Sequence, residues 1–389
     1  MLQRLVKSIS LCTTFAVLSA HAWGQELEAG YDSCGGYWVY IGTLASGATD
    51  GIVAAHMDVT TGALTSIGVV ASVTRPTWLA VHPSRPVLYS VSDPGNTIAS
   101  TVYSFAQDPV SGALTIKNSV APGGNGATHL AVDQALRSLF VAQYGTGQVS
   151  WVSLLDDGSL GTVLSIASDY GTGPSPRQTA PHAHSVAVDP TKRFLLTPDL
   201  GADRIFVRSI DTNADQLTPA ATPFYQDPAG SGPRHSVFHP NGRFYFNDTE
   251  LTATVTSYSW NPWLGSLTPI QTVAIDDPTF TGTKSASHIA ISRNGRFLYV
   301  ASRGSNSLVV YSVDRWTGTL TLLQRIANTG VSPWDFTIDP SGHWLLVANN
   351  TSNTVDEFAV DPATGLLSAT TVSLSTDQPS NVAFMPATN

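Results

Sequence analysis

Four residues of this chain could together hold an anion and move a proton: His184, Arg234, Glu250 and Arg303. Guanidinium groups present planar, paired donors to a carboxylate, a phosphate or a developing oxyanion. An imidazole titrates nearest to neutrality, so it suits proton transfer, with a carboxylate as its partner. Two arginines beside Glu250 would hold its pKa down, which favours His184 as the base and Glu250 as the ionised partner. Six further residues could line the same space and contact a small ligand: His182, His129, Gln143, Tyr144, His235 and His288. The His182-Ala183-His184 pair could take zinc if a third ligand came from elsewhere, but no Cys or acidic residue stands at a recognisable partner spacing. No metal or other cofactor is therefore expected. A Gly-rich phosphate loop, a Gly-x-Ser-x-Gly elbow and a His-Glu-x-x-His pair are absent from the sequence. Asp156-Asp157-Gly158 and the acids of Asp211-Thr212-Asn213-Ala214-Asp215 read as hairpin turn formers.

What must position these residues is a repeat. One half is a strand ending in Asp-x-x-Thr-Gly-x-Leu-Thr, clear at Asp58 to Thr65, Asp108 to Thr115, Asp314 to Thr321 and Asp361 to Ser368, with weaker copies between. Its marker leucines are Leu64, Leu114, Leu160, Leu217, Leu267, Leu320 and Leu367, at successive intervals of 50, 46, 57, 50, 53 and 47 residues. The other half is an alternating strand, a turn and a second strand, as in His235-Ser236-Val237-Phe238-His239-Pro240 leading to Phe244-Tyr245. Turns of the Pro-Asn-Gly and Pro-Ser-Gly kind supply hairpin dihedrals. About four short strands per period, seven times over, predict an all-β, seven-bladed β-propeller with four strands per blade. The last copy is split: Asn381 to Pro386 ends the chain with a first strand, and Tyr37 to Gly42 supplies an orphan second strand. Pairing the two closes the ring and removes an open sheet edge.

Aligning the blades isolates what packing does not require. The position just before the first strand reads Thr77, Thr128, His184, Arg234, Ser287, Trp334 and Ser380. The position after the second reads Leu44, Asp93, Tyr144, Leu200, Glu250, Arg303 and Asn350. Both should face the channel mouth, where His184, Arg234, Glu250 and Arg303 from three consecutive blades would either bind one small ligand or form a self-contained ion-pair plug. His129, His235 and His288 share a column with Trp78 and Asp335, which favours a repeated role in packing or hydrogen bonding.

Charge and composition bound the rest. A net charge of -9 with 12% charged residues excludes a general nucleic-acid binder, and 42% hydrophobic residues supply a core. Arg4 and Lys7 before an apolar stretch from Ile9 to Ala20, then Ala20-His21-Ala22, read as a signal peptide over residues 1–22. The expectation is a secreted or periplasmic monomer, one propeller domain over residues 37–389, with no membrane span after cleavage. Loss of Cys12 with the signal leaves Cys34 alone, so the fold is held by packing.

Pro181-His182-Ala183-His184, Pro233-Arg234-His235-Ser236, Glu250-Leu251 and Ala301-Ser302-Arg303-Gly304 together resemble the seven-bladed lactonases, which include propeller-type 6-phosphogluconolactonase and the fungal carboxymuconate-lactonizing enzyme. The resemblance spans nearly the whole mature chain. It implies an active-site cleft at His184, Arg234, Glu250 and Arg303, and a lactonase that opens a sugar-acid or carboxy lactone by acid–base chemistry without metal. Two alternatives stand beside it: a non-catalytic ligand- or protein-binding propeller, and a carboxymuconate cycloisomerase. The enzymes named act on cytoplasmic metabolites, whereas this chain carries an export signal.

Overall fold

Each period of the repeat folds into four antiparallel strands. The computed structural model describes residues 36–46 and 50–388, and these form seven four-stranded sheets with no helix among them. The expected signal peptide, with Cys12 and Cys34, lies outside the described residues. Blade 1 is the split one: Pro379–Pro386 pairs antiparallel with Tyr37–Thr43, from Tyr37 opposite Pro386 to Thr43 opposite Pro379. Blades 2 to 7 occupy residues 79–120, 127–168, 187–226, 233–274, 286–327 and 333–375. The first strand of every blade touches the first strands of both neighbours, so seven inner strands close around a channel. The expected fold, strand count and ring closure are all observed.

Second strands are buried along their whole length, as in Val87–Ser92, Ser138–Gln143, Phe194–Asp199 and Phe297–Ser302, except for the partly exposed Trp344 that starts the one in blade 7. A strand sandwiched between neighbouring sheets has both faces covered, which is why these segments read as continuous apolar runs. Each ends in a polar residue: Thr43, Ser92, Gln143, Asp199, Thr249, Ser302 or Asn349. Several of these tie down the adjoining loop, through bonds such as Ser92 Oγ to Thr74 O at 2.6 Å and Ser302 Oγ to Asp276 Oδ1 at 2.7 Å. The Asp-x-x-Thr-Gly turns lock each blade to the one before. Gly318 has φ of 74°, and a Cβ there would lie 2.5 Å from the ring of Phe244 in the preceding blade. Gly265 meets Phe194 in the same way, so both φ and space demand glycine.

The inner-strand column forms a belt around the channel. Trp78 packs against His129 (ring centroids 4.3 Å apart), His129 against His235 (5.3 Å) and His235 against His288 (5.1 Å). His288 Nδ1 lies 3.3 Å from Asp335 Oδ1, Asn381 Nδ2 donates to Asp335 Oδ2 at 2.9 Å, and Leu79 N–H donates to Asn381 Oδ1 at 2.9 Å. That last bond returns to the blade of Trp78. Burial raises the Asp335 pKa to about 7 and holds His288 well below its usual value, so these two are not a fixed ion pair at neutral pH. Asn381→Ala strands the Leu79 N–H at the closure and removes one of the two donors to Asp335 Oδ2, which keeps only the Val382 N–H. It should cost about 2 kcal/mol by equilibrium urea unfolding; a loss under about 0.5 kcal/mol, the usual size for a surface change, would show that the belt does not hold the ring.

Candidate active site

Backbone bonds bring the four predicted residues to one end of the channel. Glu250 follows the strand Phe244–Thr249; its N–H donates to Gly232 O at 2.8 Å, and its carbonyl accepts from Ala286 N at 3.2 Å, so this peptide bridges blades 5 and 6. Arg303 N–H donates to Ser285 O at 2.7 Å, and His184 N–H to Pro198 O at 2.9 Å. These three thus sit on corners fixed by neighbouring strands, while Arg234 lies at the irregular start of the strand Pro233–Phe238, where the pairing register shifts between Pro233 and Ser236.

The carboxylate of Glu250 is the hub. Its Oε2 accepts from Arg234 Nε at 3.0 Å and lies 3.8 Å from His184 Nε2. Its Oε1 is 3.0 Å from Arg303 Nη2 and also accepts from Arg177 Nη1. Burial alone would raise the Glu250 pKa, but Arg303 and Arg234 foremost, with His184 and Arg177, hold it well below the usual carboxylate range. Burial, reinforced by Arg234, holds His184 well below its usual value, so its contact with Glu250 is that of a neutral imidazole. Burial and the charge of Arg303 bring Arg234 down to about 10. His184 Nδ1, Arg234 Nη1 and Arg303 Nε are buried without a protein partner. Three guanidiniums against one carboxylate leave an excess of positive charge beside a cleft of about 670 Å³, whose lining includes Glu250, Arg177, Arg303, Phe280 and Trp334. The guanidinium carbon of Arg303 stands 4.6 Å from the Trp334 ring centroid.

The other expected residues divide. Tyr144 and His182 lie at the site: their rings stack at 4.3 Å, and Tyr144 is edge-on to His184 at 5.5 Å. His235 touches His184, with ring centroids 5.1 Å apart, but with His129 and His288 it belongs to the channel belt, the packing role their column suggested. Gln143 is not brought to the cleft. It is fully buried and its amide donates to Ser150 Oγ at 2.7 Å, because it occupies the polar end of a second strand rather than the corner beyond it. Among the described residues, no three His, Cys, Asp or Glu side chains are placed to hold a metal ion.

Arg177 was not anticipated. It lies in the 57-residue interval between Leu160 and Leu217, the longest of the repeat, and has no equivalent in other blades. Its loop is held by the next residue, Gln178, whose amide donates to Asp203 Oδ1 at 2.6 Å and Leu200 O at 2.8 Å. Arg177 Nη2 also reaches Tyr144 Oη at 3.3 Å. With its side chain 48% exposed, against 3% for Arg234 and 11% for Arg303, it is the most readily released of the three guanidiniums.

A propeller whose mouth concentrates arginines, a carboxylate and a neutral histidine has groups that could hold an anion and move a proton. The family model for the seven-bladed β-propeller lactonases matches residues 38–384, and the chain belongs to that family. It is 31% identical to the 6-phosphogluconolactonase of Bacillus subtilis over 305 residues, covering 78% of this chain and 86% of that protein. The periplasmic gluconolactonase of Pseudomonas aeruginosa superposes with a TM-score of 0.84 at 32% identity, covering 90% of this chain and 98% of that one. A putative 6-phosphogluconolactonase from Bacteroides fragilis gives 0.83 at 29% identity, covering 92% and 99%. The expected enzyme class, a lactonase with 6-phosphogluconolactonase-like function, is supported accordingly.

Because the Glu250 carboxyl titrates below its ordinary value of 4.5 in the folded protein, its stabilising effect is complete above that pH and is lost as pH falls through the folded pKa. Glu250→Gln should therefore be less stable than the wild type by about 3 kcal/mol at pH 7, because it strands buried guanidiniums. The gap should close on acidification below pH 4.5, and added sulfate should raise the variant's melting temperature more than the wild type's. A pH-independent gap with no response to anion would contradict this assignment.

Proposed function

We propose that the protein hydrolyses a sugar-acid or carboxy lactone in this cleft, outside the cytoplasm, with protein side chains alone carrying the acid–base chemistry. One observation carries the reading: Glu250 is fixed among Arg177, Arg234 and Arg303 with neutral His184 beside it, at the edge of an open cleft. With both oxygens engaged and its pKa depressed, Glu250 is a poor base and serves to orient the guanidiniums. His184, kept neutral, takes a proton from a water molecule as the water oxygen attacks the lactone carbonyl. Arg303 and the releasable Arg177 stabilise the negative charge developing on the carbonyl oxygen. The acyl–oxygen bond then breaks, the ring oxygen receives the proton from His184, and a hydroxy acid leaves. Export is supported by the N-terminal signal pattern and agrees with the periplasmic location in the name of the Pseudomonas aeruginosa relative. An unphosphorylated lactone is the simpler substrate in such a compartment.

The assay is proton release from a panel of sugar and carboxy lactones. His184→Ala and Glu250→Gln should each lower kcat/KM by about a hundredfold or more. Arg177→Ala should act mainly on KM. A base whose pKa is pushed well down also keeps activity through pH 6, where an ordinary histidine of pKa 6.5 would be mostly protonated. No acid release across the panel, or full activity in both His184→Ala and Glu250→Gln, would overturn the mechanism. Loss of a muconate's ultraviolet absorbance in its place would assign cycloisomerisation.

A further inference from the structure

The face opposite the cleft carries charge that the fold does not neutralise. Strands alternate in direction, so the hairpins joining first to second strands and the turns joining third to fourth lie at the end of the ring away from Glu250 and Arg303. In blades 4, 5 and 6 this rim bears Arg193, Arg243, Arg293, Arg296 and Arg315, all exposed. None of the five makes an ion pair among the described residues. In the neighbouring blades such pairing does occur, with Lys117 on Asp157 and Arg137 on Asp156, and within blade 4 itself Lys192, beside Arg193, pairs with Asp133 of blade 3. Acids on the same three blades are fewer. Of these, Asp211 and Asp314 accept from amides of their own turns, and Asp215 lies in the same turn as Asp211.

The arginines are also held in place. Arg193 donates to Pro262 O at 3.1 Å, Arg243 to Trp316 O at 3.3 Å and Arg296 to Ala363 O at 3.0 Å. Each lies over its neighbouring Phe ring at 5.3, 5.2 and 4.9 Å, and Arg315 lies over Trp316 at 4.8 Å. Carbonyls and rings fix a guanidinium without cancelling its charge. Two of the turns so gripped end in large apolar side chains that the core does not use. Trp263 is 80% exposed and Trp316 67%, with Leu264 at 56%. The inter-blade contact at these turns is made by Gly265 and Gly318 instead. The same turn position holds Thr60, Val110 and Ala363 in other blades, so the fold does not ask for tryptophan there.

We propose that this rim docks the protein onto a bilayer containing anionic phospholipid, with the catalytic mouth turned away from it. Indole rings settle at headgroup depth, and each nearby arginine is drawn to the negative surface potential. Exposed Asp58, Asp108, Asp156 and Asp361 stand at the same end in the other blades and are repelled with the rest of a chain of net charge -9, so only the sector of blades 4 to 6 can approach. The arginines and indoles are spread over the hairpins and turns of three blades, a footprint that matches an extended surface better than a small anion. Such adsorption needs no apolar span, and no helix among the described residues is long and apolar enough to cross a membrane. It gives the exported protein a surface to rest on without anchoring the chain through it.

Co-sedimentation of the exported chain with vesicles tests this. Binding to vesicles containing phosphatidylglycerol should be at least about tenfold tighter than to pure phosphatidylcholine, and should fall away in high salt. The Trp263→Ser/Trp316→Ser pair and the Arg243→Gln/Arg296→Gln/Arg315→Gln triple should each weaken it at least about fivefold. Lactone hydrolysis by the Trp pair should be unchanged. Because the arginines also clasp neighbouring blades, the Trp pair decides the matter if the triple variant does not fold. Failure to bind anionic vesicles at low salt, binding unaltered in the Trp pair, or capture by an anionic polysaccharide without capture by vesicles would each overturn the proposal.

Discussion

Seven sheets can share one axis only if the last is joined to the first, and here a single strand pair does so. Tyr37–Thr43 carries hydrogen bonds on both edges, to Pro379–Pro386 on one side and Ile52–Met57 on the other. Without the C-terminal strand, blade 1 would have an open inner edge and blade 7 a missing neighbour. Asn381 lies within this closing strand and is also the belt residue that bonds both Asp335 and the backbone of Leu79. The polar belt of the channel and the first and last strands of the propeller are therefore secured at the same place.

Closure sets the geometry of the site. Corners from neighbouring blades converge on the channel mouth, and only there can four cationic or imidazole side chains crowd one carboxylate. Crowding has chemical consequences that follow from burial and sign. Glu250 stays ionised, since three guanidiniums outweigh its desolvation; His184 stays neutral, since its desolvation and Arg234 outweigh Glu250. Both groups are thus held without a proton at neutral pH, which in the proposed mechanism leaves Glu250 to orient the cations and His184 free to accept a proton. The self-contained ion-pair network and the ligand site, which the sequence presented as alternatives, are compatible in one structure: Arg234 is sealed in, while Arg177 stays half exposed at the opening.

The repeat made much of this legible. Seven aligned copies act as their own control, so His184, Arg234, Glu250 and Arg303 stood out where other blades mostly have Thr, Ser, Leu or Asn, with Trp334, Asp93 and Tyr144 the remaining variants. His129, His235 and His288 were legible as packing for the converse reason, since aromatic and polar residues recur in their column. The same method could not reach Arg177, which lies in a loop that other blades lack; only the excess length of its interval marked it. Gln143 was displaced by one position. The corner begins at Tyr144, and strand alternation turns Gln143 inward to Ser150. The basic and aromatic rim was hidden because Trp263, Arg243 and Arg315 are far apart in sequence, and only the alternation of strand direction puts them on one face.

The central claim is that the guanidinium cluster is held for the acyl group of a ring-opening lactone. A crystal structure with the hydroxy-acid product bound tests this most directly. The account predicts the product carboxylate within hydrogen-bond distance of Arg303, with Arg177 moved from Glu250 onto it and Arg234 still bonded to Glu250. A product bound elsewhere on the propeller, or lying in the cleft with every Glu250 contact unchanged, would contradict it.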